Sequence, residues 1–90
     1  MRGIGVEIIV KRIVKFDGNG SMKAFCDLAV GETFLVRSVK VIEGKNGLFV
    51  SMPREQGRNG QWYEVVGMLT KEVQTEVTRV VMEAYHAHSL

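Results

Sequence analysis

Val39-Lys40-Val41-Ile42-Glu43-Gly44-Lys45-Asn46-Gly47-Leu48-Phe49-Val50-Ser51-Met52-Pro53 holds two β-forming runs around a polar tetrapeptide. Asn46-Gly47 between apolar β-formers is a strong hairpin signal, because asparagine tolerates positive φ and glycine carries no Cβ to oppose it. Pro53 is the only proline and has no N–H to donate to a ladder, so it closes the second strand. The spacing predicts a tight hairpin near the middle of a small sheet.

Working outward, residues 21–30 alternate most cleanly. Met22, Ala24, Cys26, Leu28 and Val30 fall on one face of a half-buried antiparallel strand. Before them, Val6, Ile8, Val10, Val14 and Phe16 keep even phase until Arg12 interrupts it. The break marks a bulge, a strand end or an exposed basic residue. Residues 33–43 are apolar on both faces, as in a central strand covered on both sides, partly by a second chain. Residues 54–61 are polar and glycine-containing, with the length of a mobile loop. Trp62 and Tyr63 open a last strand. From Thr70 the period lengthens: Val73, Val77, Val80, Val81, Ala84 and Tyr85 share one helical stripe. Thr70 is the expected N-cap, and Glu72 complements the helix dipole. Strands over about residues 4–66 and a helix over about 70–86 predict one α+β domain spanning 1–90. Its expected architecture is an antiparallel sheet of about five strands with the helix packed on a single face.

A chain of 90 residues that is 46% hydrophobic has more apolar surface than one sheet and one helix can cover. An oligomer is the expected remedy. No apolar run approaches a membrane span, no signal peptide is expected at the N-terminus, and a lone cysteine suits a reducing cytosol. A cytoplasmic protein is the expectation. Lys and Arg exceed Asp and Glu by only two, but the excess is concentrated. Residues 1–45 hold eight cations against five acids, and residues 46–90 hold four against five.

No catalytic constellation emerges. Cys26, on an apolar strand face, is a small buried hydrophobe rather than a nucleophile. His86 and His88 lack the further ligands of a zinc site. Gly44-Lys45 lacks the other residues of a phosphate-binding loop. The expectation is a protein that is not an enzyme and has no cofactor, metal or small-molecule substrate. What remains is Lys45 at the hairpin tip and Arg54 and Arg58 after Pro53, with Trp62 or Tyr63 available for stacking. If the two loops share a side, they offer three cations to a phosphate backbone, assisted by Lys23 and Lys40. Lys11, Arg12, Lys23 and Lys40 together are the alternative location. Ordinary solvated charge fits the same residues.

Val41-Ile42-Glu43-Gly44-Lys45-Asn46-Gly47-Leu48-Phe49-Val50-Ser51-Met52-Pro53 closely resembles the signature of the stage V sporulation protein G family, the septation and sporulation regulators of bacteria. Met22-Lys23-Ala24 and the helix end Glu83-Ala84-Tyr85-His86 extend the resemblance over most of the chain. It implies a cytosolic homodimer, formed by strand pairing across an open edge, that binds DNA or RNA to modulate gene expression. Two departures stand out. The family's basic pair after Met-Pro falls on Glu55-Gln56, and its His-Pro step falls on Gly67-Met68. The competing expectation is a protein-interaction module of the division machinery, docking through a sheet edge or the Trp62 region.

Overall fold

The computed structural model describes residues 5–87. The elements are β1 (Ile8–Lys15), β2 (Met22–Val30), β3 (Phe34–Gly44), β4 (Gly47–Ser51), β5 (Arg54–Gln56), β6 (Trp62–Glu64) and α1 (Lys71–Ala87). β1 to β4 form an antiparallel meander in the order β1-β2-β3-β4, and β5 pairs only with β6 in a separate ribbon. The fold is α+β as expected. The strands divide as four plus two because the chain turns out of the main sheet at Met52-Pro53, where proline cannot extend the ladder. The expected position of the Asn46-Gly47 hairpin is corrected in one respect: β4 is the border strand of its sheet, not a central one. The start of the first strand near residue 4, and His88, lie outside the described residues.

Two bulges explain the irregular patterns of β1 and β3. Against β2, the partner of Leu28 is Val10 and that of Asp27 is Arg12, so β1 carries one extra residue. On the other side, Cys26 faces Val39 and Leu28 faces Val36, so β3 also carries one extra residue. A bulge reverses which face each later residue addresses. In β1, Ile8 and Val10 face the core before the bulge and Ile13 after it. In β3 the switch runs from Val36 to Val39 and Val41, through Ser38 at φ 65°. The two-faced apolar pattern of residues 33–43 is therefore a change of phase, not a strand buried on both sides. Phe34 and Leu35 at its start are exposed.

The helix covers the inner face. Thr70 Oγ1 accepts from the Val73 N–H at 3.2 Å, the N-cap bond expected of that threonine. Val77 and Val81 are buried against Ala24, Cys26, Leu28, Val39 and Val41. At the other end, the Lys15 ammonium donates to the Tyr85 carbonyl at 3.1 Å and stands 4.3 Å from the Tyr85 ring centroid. Here a cation meets unpaired carbonyls of the last helical turn. With the helix fixed on one side, the opposite face of the sheet has no described element packed on it.

Candidate nucleic-acid interface

The residues expected to loop freely after Pro53 instead fold into the β5–β6 hairpin. Glu55 pairs with Tyr63 and Gln56 with Trp62. The turn closes through the Gly60 N–H to the Gly57 carbonyl (3.0 Å) and the Gly57 N–H to the Gln61 carbonyl (2.8 Å). Gly60 has φ +85°, and a Cβ at Gly57 would stand 2.8 Å from the Tyr63 ring, so both positions require glycine. Asn59 Nδ2 donates to the Tyr63 hydroxyl (2.9 Å), which donates to Gln61 Oε1 (3.2 Å). Gln56 Nε2 donates to the Gly60 carbonyl at 3.0 Å. A loop of this composition is ordered because its own polar side chains supply the bonds.

This hairpin presents Arg58 at its tip and Arg54 at its base. Period-two alternation puts Arg54, Gln56, Trp62 and Glu64 on one face. Trp62 is exposed there, whereas Tyr63 is committed to the turn, so Trp62 is the ring available to a ligand. Glu64 stands directly across from Arg54.

Lys45 does not join them. It sits in the β3–β4 turn, and the whole of β4 separates it from Arg54, roughly 17 Å of extended chain. Lys45 instead belongs with Lys23 at the hairpin end of the main sheet, whereas Lys40 lies across from Ser51 at the far end of β4. Lys23 is engaged, reaching Glu43 at 3.5 Å and the Gly18 carbonyl at 3.4 Å. Arg12 pairs with Asp27 at 3.4 Å, although its side chain stays 60% exposed. Among the described residues, Lys40, Lys45, Arg54 and Arg58 have no carboxylate within ion-pair distance. Arg79 on the helix is the contrast: Glu76 at 2.7 Å and Glu83 at 3.4 Å neutralise it, and Glu76 raises its already high pKa. The predicted cluster is thus divided: Lys23 and Lys45 by the β3–β4 turn, Lys40 in the middle of the main sheet, and Arg54 and Arg58 on the β5–β6 hairpin.

No group of three or more His, Cys, Asp or Glu that could hold a metal exists among the described residues. A cleft of about 590 Å³ opens between the helix start and the far end of the sheet, lined by Ile8, Leu28, Val36, Met68, Val73 and Val77. Phe34, also in its lining, is 69% exposed, and Val65 (60%) and Leu69 (96%) flank the lining residues Val66 and Met68 in the chain. No helix is long and apolar enough to cross a membrane among the described residues. Phe16, Phe25 and Phe49, which the sequence reading did not single out, stand on the helix-free face. Phe25 carried a legible signal: it is the one large apolar residue on the polar side of the 21–30 alternation.

The described residues form an antiparallel meander backed by one helix, an α+β domain with cations exposed on the sheet and on both hairpins. Comparison with known proteins gives its family: the SpoVG family model matches residues 6–87, and the chain belongs to that family. Several relatives carry the name "Putative septation protein SpoVG". The protein from Archaeoglobus fulgidus is 37% identical over 79 residues, covering 88% of this chain and 93% of that one. Those from Desulforudis audaxviator (32% over 80 residues; 89% and 91%) and Staphylococcus saprophyticus (34% over 74 residues; 82% and 73%) are similar over comparable lengths.

Proposed function

We propose that the chain is a nucleic-acid-binding regulatory protein that works in septation, as the names of its relatives suggest, and acts as a homodimer. The observation that carries nucleic-acid binding is that Lys40, Lys45, Arg54 and Arg58 stand on the open sheet and its hairpins with no carboxylate among the described residues within ion-pair distance, a condition that Lys11, Arg37 and Lys71 share elsewhere on the surface. An unpaired surface cation keeps its field for a phosphate, whereas a cation like Arg79 has already spent it on neighbours. Homodimer formation is supported by the large hydrophobic side chains left exposed at the apolar cleft and along the chain that lines it, Phe34, Val65 and Leu69, which a second copy would cover. The open borders at β1 and β4 also leave strand pairing available to a second copy.

The test is a titration into labelled duplex DNA and single-stranded RNA at several salt concentrations, beside Arg54→Glu/Arg58→Glu. Binding in the micromolar range that weakens steeply with salt is expected. On duplex DNA the double variant should flatten the log–log salt slope by about 0.9 per lost phosphate contact. Equal binding by both proteins would move the contacts to the main sheet. No binding to either nucleic acid at low salt would overturn the reading. The apolar end favours one competing function, a protein-interaction module of the division machinery, and a null titration would direct attention there.

A further inference from the structure

The helix-free face of the main sheet mixes aromatic and charged side chains, the Arg12–Asp27 pair among them, with Phe25 half-buried in its middle. Facing away from buried Val39, Val41 and Cys26, it carries Phe16 from the end of β1, Phe25 from β2 and Phe49 from β4. Phe16 and Phe25 are in contact, with centroids 5.7 Å apart and planes inclined at 45°. The Arg12 guanidinium carbon stands 5.5 Å from the Phe25 centroid. Lys40 is the direct cross-strand neighbour of Phe25. Phe49 lies against Gly44, where a Cβ would sit 3.0 Å from the ring, so the missing side chain lets the aromatic approach the backbone. Lys45 follows Gly44 at the turn. Rings and cations therefore interleave across all four strands, a width of roughly 14 Å.

We infer that this face is a stacking platform for single-stranded nucleic acid, an inference that rests on the nucleic-acid reading above and specifies its ligand. Two physical points select the single strand. The π-faces of bases in a duplex are already occupied by their neighbours, so aromatic side chains can stack only on unpaired bases. Cations set among the rings, with Lys40 and Lys45 unpaired, provide for the phosphates that link those bases. Open antiparallel sheets bearing exposed aromatics stack two or three successive bases in other nucleic-acid-binding folds. Stacking is tolerant of base identity, so the platform supplies affinity for single strands with weak sequence preference. The arginines of the β5–β6 hairpin are then a separate phosphate contact.

The experiment compares oligo(U), oligo(dT) and a duplex of equal length against the intact protein, Phe16→Ala/Phe49→Ala, and Arg54→Glu/Arg58→Glu. The two single strands separate an RNA source from a DNA source. The expected result is tighter binding of a single strand than of duplex. The phenylalanine variant should lose roughly tenfold or more of that affinity with the salt slope unchanged, since no charge is removed. Phe49→Trp in a Trp62→Phe background keeps a ring and places the sole indole on the platform. It should retain affinity, and its fluorescence should be quenched by the bound strand. Unchanged single-strand binding in Phe16→Ala/Phe49→Ala, with loss in Arg54→Glu/Arg58→Glu, would overturn the platform and leave the nucleic-acid reading standing. A fall in sedimentation mass without loss of affinity would make the face a contact between copies of this chain and overturn the platform too. Absence of binding by the intact protein would remove both readings together.

Discussion

Cys26 shows how much of a residue's chemistry follows from its strand phase. Its place between Ala24 and Leu28 puts it in the core, where burial first, and the neighbouring Asp27 charge second, push the thiol pKa from 9.0 up to about 11. A nucleophile is excluded by the same fact, because little thiolate exists at neutral pH. The folded chain holds this proton more tightly than the unfolded chain. The resulting stability is full below about pH 9 and is lost as pH rises toward about 11. Cys26→Ala removes that dependence, so the difference in urea midpoint between the two proteins should shrink across this window. A difference that stays constant through it would show that the thiol does not titrate in this way. The burial was legible in the alternation of residues 24–30; Met22, expected on the same face, is instead exposed opposite Ile42, because the register shifts between Met22 and Ala24. The direction of the pKa shift then follows from desolvation alone.

At the scale of the element, the bulges of β1 and β3 decide which side chains serve the core and which the open face. Both lie opposite Asp27 of β2, one on each neighbouring strand. Without the extra residue in β3, Val39 and Val41 would point away from the helix and Lys40 would point into it. Ser38 accommodates the insertion at φ 65°, a conformation that non-glycine residues adopt only at a cost of about 1–2 kcal/mol. Ser38→Gly should therefore stabilise the protein by about 0.5–1 kcal/mol, and Ser38→Val should destabilise it by about 1–2 kcal/mol. Urea denaturation measures both, and a stabilising valine would refute the account of the bulge. The Arg12 interruption announced the first bulge in the sequence, with two other meanings still open. The second was silent, since a serine between arginine and valine carries no turn signal. The β5–β6 hairpin was missed for a related reason: its order comes from Gln56, Asn59, Gln61 and Tyr63 bonding one another across the turn, which composition does not reveal.

On the scale of the whole molecule, the meander sorts surface chemistry to two ends. Phe16, Lys23, Lys45 and Phe49 gather where β1 ends and the β3–β4 turn projects. Phe34, the apolar cleft and the approach to the helix lie at the other end. Self-association through the apolar end would leave the cation-bearing hairpin end of each copy open. Analytical ultracentrifugation at micromolar concentration should therefore report a dimer, and Phe34→Ser/Leu69→Ser should shift it toward monomer with unchanged helical circular dichroism. A wild-type monomer across that range would refute the proposed assembly.

The α+β class, the Asn46-Gly47 hairpin, the helix with its Thr70 cap and the burial of Cys26 were all determined by sequence alone. Each depends on local periodicity or on the conformational preference of one or two residues, and both are written in consecutive positions. The tertiary structure alone decided that Lys45 stands apart from Arg54 and Arg58, and that β4 is a border. It also decided that three phenylalanines share an open face with Arg12 and Lys40. Those relations join residues on different strands, and bulges and strand order set them by pairing between segments distant in the chain.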